Sequence, residues 1–283
     1  MVSSRVAVAI ACVWVVSEAI LLRYDRGAAY AGVGLCAYLG LLAVAVDRLS
    51  SRTATAESFD AREPHRTFAT RCGIVVGTVL FVTFVYGFVA NWVVRLPVLT
   101  PLWASWTALR PPLGATAIPN ALLYVVIPGA ALVALGLRLR SFGLVGPMPG
   151  YGRALVAVLI LPALTLITLF FMGRINVSRI GYIAVRNLLS AGGSEEILFR
   201  GYLMSHVRPI AGVTGALLVQ ALAFGVFHWA SSVNEPNALV LLAYLLALNA
   251  VPGCLLGLIA LRSNALVLPI SIHTSMGMMR DAF

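Results

Sequence analysis

The chain consists mainly of apolar runs that are each about as long as a lipid bilayer is thick. Its 283 residues are 60% hydrophobic and 11% charged, and the mean hydropathy of +0.95 lies outside the range of soluble domains. About 20 apolar residues cross the hydrocarbon core as a helix, which satisfies its own backbone hydrogen bonds. The sequence therefore predicts an all-α, polytopic membrane helix bundle, with residues 1–283 forming a single integral membrane domain.

The apolar runs predict about eight or nine transmembrane helices. No internal repeat divides the chain, which counts against a small transporter with inverted repeats. The segment 47–71 is a long charged loop, and Trp103 and Trp106 in the Pro-rich segment 96–119 are typical of a membrane interface. The predicted spans are 6–22, 27–46, 73–94, 120–137, 154–172, 187–207, 213–232, 238–261 and 265–279.

The net charge of +10 is spread over many short loops rather than one patch. We therefore expect the chain to contact the anionic head groups of a lipid bilayer and no nucleic acid. Arginine supplies this charge and lysine is absent, which indicates a GC-rich bacterial coding sequence and hence the bacterial cytoplasmic membrane. The cysteines lack CxxC spacing, which argues against a disulfide framework and against a thiolate metal site.

Two adjacent glutamates and an arginine interrupt one apolar run, in the sequence Glu195-Glu196-Ile-Leu-Phe-Arg200. Each such charge costs about 2.5 to 3.5 kcal/mol at mid-bilayer, so the cluster predicts a functional site. Glu196 and Arg200 are four residues apart, in the favourable order for a helical ion pair. Glu195 points about 100° away around the helix, which leaves its carboxylate free to act. The alternative is a structural network that holds helices together.

Two histidines in later apolar runs are further candidates for the site. His228 and His273 could converge with Glu195 inside a bundle, where such a group could deprotonate water and stabilise an oxyanion. A lone histidine in a helix is more often a packed core residue, but histidine is scarce in this chain. The other two, His65 and His206, are expected to face water or head groups.

Small and aromatic residues beside these candidates have both packing and functional interpretations. Phe224 lies one helical turn before His228 and either packs in the core or forms the wall of a substrate pocket. Gly192 and Gly193 either allow close contact between helices or mark a local break with Ser194 as an N-cap.

The three charged or aromatic motifs together resemble the CAAX-processing and bacteriocin-processing intramembrane proteases, the CPBP or Abi family, which includes the Rce1-type prenyl-protein endopeptidases. The EExxxR motif of that family is similar to residues 195–200, and its FxxxH motif is similar to residues 224–228. Its third motif, a histidine in a late helix after a Gly-containing and Arg-containing stretch, is similar to residues 257–262 followed by His273. The helices of 187–279 would then form the catalytic core.

The resemblance implies a role for each motif residue. Glu195 would be the general base that activates water together with His228. Glu196 and Arg200 would order the site, with Phe224 beside them, and His273 would bind the developing oxyanion.

The sequence departs from the family at Gly277, where the family usually carries asparagine four residues after the last histidine. An oxyanion must then be stabilised by His273 alone, by Thr274 or Ser275, or by backbone N–H groups, or activity is lowered or lost. One oxyanion donor contributes about 3 to 4 kcal/mol to transition-state stabilisation.

Other intramembrane protease chemistries leave no signature in the sequence. It contains no HExxH zinc motif and no GxSxG serine motif, and its aspartates are predicted in loops or at a terminus. Glu195, His228 and His273 could still hold Zn²⁺. We favour direct activation of water without a metal or other cofactor, because a pair of histidine ligands at i, i+4 is absent.

The sequence thus predicts an intramembrane endopeptidase that hydrolyses a peptide bond of a membrane-associated protein or peptide. Leader peptides, membrane-anchored precursors and regulatory membrane proteins are the expected substrates, and a prenylated CAAX protein is not expected in a bacterium. The alternative is a catalytically weak or inactive relative that acts as a bacteriocin-immunity protein or a membrane scaffold.

Overall fold

A computed structural model of the chain describes residues 4–49, 65–84, 114–137, 151–228 and 237–282. These residues form helices joined by short connections and contain no β-strand, which confirms the all-α prediction. Most of the predicted charged loop and interfacial segment, including Trp103 and Trp106, lies outside the described residues.

The first half of the described chain supplies six α-helices. A π-helical turn, Ala121–Val126, separates the fourth from the fifth. Pro119 and Pro128 lie on either side of this turn and lack the amide hydrogen that a regular helix would use there. The helices are α1 (Ser4–Tyr24), α2 (Arg26–Leu49), α3 (His65–Phe84), α4 (Gly114–Asn120), α5 (Ile127–Ala134) and α6 (Tyr151–Phe171).

The second half supplies six more α-helices and three further π-helical turns. These turns are Leu188–Gly192, Ile197–Leu203 and Leu245–Ala250. Such turns are rare and are often found at functional sites. The helices are α7 (Val177–Asn187), α8 (Gly193–Glu196), α9 (Met204–Phe227), α10 (Ala238–Tyr244), α11 (Val251–Ser263) and α12 (Val267–Ala282).

The helix that carries the glutamates begins ten residues earlier than the predicted span 187–207. It starts at Val177, where the Asn176 side chain accepts a hydrogen bond of 2.8 Å from the Arg179 amide, as an N-cap does. Arg179 and Arg186 interrupt the apolar pattern of α7, so hydropathy alone placed this helix outside the span. The helical stretch then bends at Gly212, which has a φ of 68°.

Seven helical stretches of the described residues are long and apolar enough to cross a membrane. The chain is therefore described as a multi-pass membrane protein. One stretch, Val177–Phe227, contains 51 residues and includes the bend at Gly212. Helix α12, with 16 residues, is not among the seven. The predicted number of eight or nine spans therefore stays a prediction.

Two apolar clusters hold the helices that carry the predicted site residues. In one cluster Phe199, Phe224 and Phe227 pack with residues of α3 and with Tyr124. In the other, residues of α11 and α12 pack against α2 and α6, with Ile272 fully buried beside the position of His273. The site helices are therefore fixed from two sides.

Arg71, which the sequence places at the end of the charged loop 47–71, and His206, which we expect to face water or head groups, are both buried. Arg71 is 6% exposed, and its Nη2 donates to the Leu135 carbonyl at 2.6 Å. Leu135 follows the carboxyl end of α5, where a positive charge is favourable. His206 is 2% exposed, with Nδ1 at 2.8 Å from the Tyr202 carbonyl oxygen. The prediction for His206 is wrong, because its ring is buried in the bundle and contacts the Tyr202 carbonyl. Arg71 lies in α3 and not in the predicted loop.

Candidate active site

Glu196 and Arg200 form an ion pair inside the bundle. Arg200 Nη1 donates to Glu196 Oε1 at 3.0 Å, and both side chains are fully buried. The pair spans one helical turn, from α8 into the π-helical turn Ile197–Leu203. A buried charge of this kind is tolerated only with a well-placed partner, so each residue accounts for the presence of the other.

Glu195 lies beside His228, which ends α9. The distance from Glu195 Oε2 to His228 Nε2 is 3.6 Å, too long for a direct hydrogen bond and short enough for both atoms to contact one water molecule. His228 Nδ1 lies 2.9 Å from the Phe224 carbonyl oxygen. A carbonyl only accepts, so Nδ1 carries the hydrogen, and Nε2 of the neutral ring presents a lone pair towards Glu195.

His273 on α12 faces both glutamates. Its Nδ1 lies 2.8 Å from Glu196 Oε1, and its Nε2 lies 3.9 Å from Glu195 Oε2. The structure therefore brings together the three residues that the sequence analysis placed in the site. The close contact between His273 and Glu196 was not predicted, because the helical geometry of the EExxxR motif says nothing about a partner 77 residues away.

The Phe224 ring contacts both Arg200 of the ion pair and the His228 ring. The Arg200 Cζ atom is 4.4 Å from its ring centroid, within the range of a cation–π contact, and the His228 ring centroid is 4.4 Å away. A Cβ on Gly253 would lie 2.9 Å from the Phe224 ring. The side chain is 4% exposed, which agrees with the packing interpretation, and the site-supporting role of Phe224 stays a prediction.

Gly192 allows α12 to pack directly against the turn that precedes α8. A Cβ at this position would overlap Thr274 Oγ1 and lie 2.7 Å from the Thr274 amide nitrogen. The helix continues through Gly192 and Gly193, and Ser194 donates its hydroxyl hydrogen to the Leu189 carbonyl. The structure thus agrees with the close-contact interpretation of the glycines, and Ser194 is not an N-cap.

The space beside Gly277 is filled by Asn187 from α7. A Cβ on Gly277 would overlap Asn187 Oδ1. The Asn187 Nδ2 atom donates to the Ile183 carbonyl and to Asp281 Oδ2, each at 2.8 Å. Asn187 therefore replaces missing volume, while both of its donor hydrogens point away from the site.

Asp281, near the end of α12, has polar contacts with Asn187, Arg186 and Arg280. Burial alone would raise the pKa of its carboxyl group, but the hydrogen bond from Asn187 and the charges of Arg280 and Arg186 outweigh burial and hold that pKa below its ordinary value. The Arg186 Nη1 atom lies 3.2 Å from Asp281 Oδ2. These contacts fasten the end of α12 to α7, about two helical turns from His273.

Zn²⁺ would have to be held by Glu195, His228 and His273. The distances from Glu195 Oε2 to the two Nε2 atoms are 3.6 and 3.9 Å. Within the described ranges, however, no group of three or more His, Cys, Asp and Glu side chains is arranged to hold a metal ion. The residues present therefore do not form a ready set of ligands, and the prediction of a cofactor-free site stays a prediction.

Comparison with known protein families finds a similarity over the segment that contains the candidate site residues. Residues 178–279 match the model of a family described as Rce1-like, type II CAAX prenyl endopeptidase. Over these residues the chain is similar to that family, and we call residues 178–279 the Rce1-like segment. The Rce1-like segment contains Glu195, His228 and His273, and its description indicates a protease. Searches of curated proteins and of solved structures found no match to the chain.

The sequence analysis missed two polar residues in the Rce1-like segment. Asn187 is 1% exposed and Gln220 is fully buried. The available signal was weak: each is an uncharged amide in or beside an apolar run, and a single amide at such a position is compatible with many structures. Gly253, which contacts Arg200, gave no signal apart from being a glycine.

Proposed function

We propose that the chain is an intramembrane endopeptidase that hydrolyses a peptide bond by means of water activated by Glu195 and His228. The observation that supports this proposal best is the meeting of Glu195, His228 and His273, which come from three helices of the Rce1-like segment. Glu195 Oε2 is buried and has no hydrogen-bond partner among the described residues. A water molecule between it and the imidazole rings would satisfy this oxygen.

In the proposed reaction, the water oxygen attacks the scissile carbonyl carbon. One proton of the water passes to the pair formed by Glu195 and His228, whose Nε2 lone pair faces the carboxylate. The carbonyl oxygen takes up the negative charge of the tetrahedral intermediate. When the C–N bond breaks, the proton passes to the leaving nitrogen, so the products are a carboxylic acid and an amine.

His273 is the proposed stabiliser of the oxyanion. Its Nδ1 contacts Glu196, which stabilises positive charge on the ring, so that Nε2–H can donate to the oxyanion. Its side chain is 13% exposed and that of His228 is 23% exposed, against 8% for Glu195 and none for Glu196. The imidazole rings are therefore the part of the site that a substrate can reach.

The proposed partner is a membrane protein or a membrane-associated peptide, cleaved within or next to the lipid bilayer. Many large apolar side chains point outward, such as Leu41 at 72% exposed and Phe171 at 81% exposed, as expected of helices surrounded by lipid. We place the protein in a bacterial cytoplasmic membrane on the basis of its arginine-only basic composition. Leader peptides and membrane-anchored precursors fit this location.

The test uses purified full-length chain in liposomes with a library of quenched fluorogenic peptides, each with and without a lipid anchor. We expect cleavage by the wild type, and losses of about 10²- to 10⁴-fold for Glu195→Gln and His228→Ala. Gly40→Ala on α2 is the matched control, because a Cβ there meets no atom of the described residues within 4 Å. Cleavage by both site variants at the wild-type rate would overturn the mechanism.

A second arm separates proteolysis from a scaffold or immunity role and tests metal dependence. If a cellular phenotype of the deletion is rescued equally by wild type and by Glu195→Gln, the chain acts by binding and not by hydrolysis. If a chelator abolishes cleavage and a stoichiometric metal ion restores it, the metal-free form of the proposal is wrong.

A further inference from the structure

Gln220 is a fully buried amide on α9, about two helical turns before His228. Its Nε2 donates to the Leu217 carbonyl and to the Gly253 carbonyl, each at 3.1 Å. An amide without hydrogen bonds would be costly in this apolar setting. Its link to Gly253 crosses from α9 to α11, so it does more than satisfy its own helix.

The Gly253 carbonyl oxygen accepts a second side-chain donor. Arg200 Nη2 donates to it at 2.8 Å, while Arg200 Nη1 donates to Glu196 at 3.0 Å. A carbonyl oxygen has two lone pairs, and here one faces Gln220 and the other faces Arg200. The guanidinium is thus held at two points, one on the catalytic side and one on the side of Gln220.

A continuous series of buried contacts therefore leads from Gln220 to an imidazole of the candidate site. It runs through the Gly253 carbonyl, Arg200 and Glu196, whose Oε1 lies 2.8 Å from His273 Nδ1. Every link up to Glu196 is within hydrogen-bond distance and fully buried. Charge-assisted bonds of this kind are stronger than neutral ones, and low polarity strengthens them further.

Two glycines of α11 make room for this arrangement. A Cβ on Gly257 would lie 2.5 Å from Gln220 Nε2, and a Cβ on Gly253 would lie 3.3 Å from Arg200 Nη2. The amide orientation follows from chemistry, because the Gly253 carbonyl can meet only the NH₂ group. Gln220 Oε1 is then buried without a hydrogen-bond partner among the described residues. An apolar residue that only filled the space would avoid the free-energy cost of this unpaired oxygen.

We propose that Gln220 is a positioning residue for the reaction. By holding the Gly253 carbonyl against Arg200, it sets the direction of the guanidinium and, through Glu196, the orientation of His273. This inference rests on the proposed function, because it assigns Gln220 to the same hydrolytic site.

The test compares Gln220→Met with Leu217→Met in the liposome assay. Methionine keeps the approximate volume of glutamine and lacks the donor, while Leu217 is a neighbour that also faces Gly257 and takes no side-chain part in the hydrogen bonds. We expect Gln220→Met to lower kcat about tenfold, as for loss of one buried bond to a group that is itself charge-linked, with KM unchanged. Leu217→Met should change both by less than about twofold.

A double-mutant cycle with Arg200→Lys, which keeps the buried positive charge, separates positioning from packing. If Gln220 acts through the guanidinium of Arg200, adding Gln220→Met to Arg200→Lys should lower kcat by less than about twofold. Multiplicative effects of the two substitutions would overturn the proposal, as would equal behaviour of Gln220→Met and Leu217→Met.

A measurement without substrate keeps this inference distinguishable from the proposed function. The ¹⁵N chemical shifts of the His273 ring should change in Gln220→Met and stay at wild-type values in Leu217→Met. Unchanged shifts in both would overturn the positioning role. A wild type that cleaves none of the peptides, with the shifts changed as expected, would refute hydrolysis of those peptides while retaining the link between Gln220 and His273.

Discussion

Glu196 and Glu18 both lie buried in helices that can cross a membrane, but only Glu196 has charged partners. Glu196 is fully buried, and its Oε1 contacts Arg200 and His273. Glu18 on α1 is 5% exposed, and neither of its carboxyl oxygens has a hydrogen-bond partner among the described residues. The Trp14 indole interacts with it without reaching hydrogen-bond geometry.

The neighbours of the two carboxyl groups explain the difference. Glu18 lies against the bare backbone of Gly32 on α2, where a Cβ would overlap its Oε1, so the absence of a side chain at Gly32 makes room for the carboxyl group. Glu196, in contrast, contacts the Arg200 guanidinium and the His273 imidazole. Burial of a glutamate therefore does not by itself distinguish a candidate active site, whereas Glu196 also has a charged partner one turn away and an imidazole from another helix.

The largest expected effect comes from removing the anion that has partners. Glu196→Gln leaves Arg200 buried without its counter-charge, which typically costs about 3 to 5 kcal/mol. We expect a large fall in the thermal unfolding temperature in detergent and no measurable peptide cleavage. Glu18→Gln is the matched control, and an equal loss of stability in both variants would erase the comparison.

Arg200→Lys tests whether geometry, and not charge alone, distinguishes the region around Glu196. An ammonium group cannot hold Glu196 and the Gly253 carbonyl in the fixed fork of a guanidinium. We expect kcat to fall by about 10- to 100-fold, since a charged hydrogen bond contributes about 1.5 to 3 kcal/mol. Wild-type kcat in Arg200→Lys would show that a positive charge is sufficient.

A pair of glycine substitutions extends the comparison to packing. Gly277→Ala forces a Cβ into Asn187, so we expect a loss of about 1 to 3 kcal/mol in unfolding free energy. A Cβ added by Gly40→Ala on α2 meets no atom within 4 Å in the part of the chain that the structure describes, so this substitution should be neutral or slightly stabilising. The double variant Gly277→Ala with Asn187→Gly should recover part of the loss, and no recovery would contradict the assignment of Asn187 as the residue that fills this space.

The smallest effect is expected at Glu18 itself. Glu18→Leu removes a buried carboxyl group without a hydrogen-bond partner, so stability should be unchanged or rise by about 1 kcal/mol, with cleavage unaffected. Differential scanning fluorimetry in detergent measures the first quantity, and the liposome assay measures the second. A fall of several kcal/mol would mean that Glu18 has an essential partner, and the two glutamates would then be alike.

The parts of the site that the sequence predicts are those set by local geometry. The Glu196–Arg200 pair follows from a spacing of four residues, and the helical fold follows from the apolar runs. The contact of His273 with Glu196 does not, because it depends on how α12 packs against the turn Leu188–Gly192. That packing requires a glycine at 192, a requirement that becomes visible only once Thr274 is beside it.

Other misses have the same origin in tertiary contacts. The burial of Arg71 depends on the free carbonyl of Leu135 at the end of a distant helix. The meaning of Gly277 depends on Asn187, and the role of Gln220 depends on the Gly253 carbonyl. In a single sequence, residues of these types do not indicate which tertiary contacts they make, since each could equally belong to a loop or to an ordinary packed helix.

The bend at Gly212 turns one helical stretch into two arms of a hairpin. Glu195 and His228 are 33 residues apart and would be separated by about 50 Å along a straight helix, yet their side chains approach to 3.6 Å. Gly212 adopts a positive φ that other residues reach only with strain. The two halves of the proposed water-activating pair therefore meet because of a residue that lies about 25 Å from either of them along the helix.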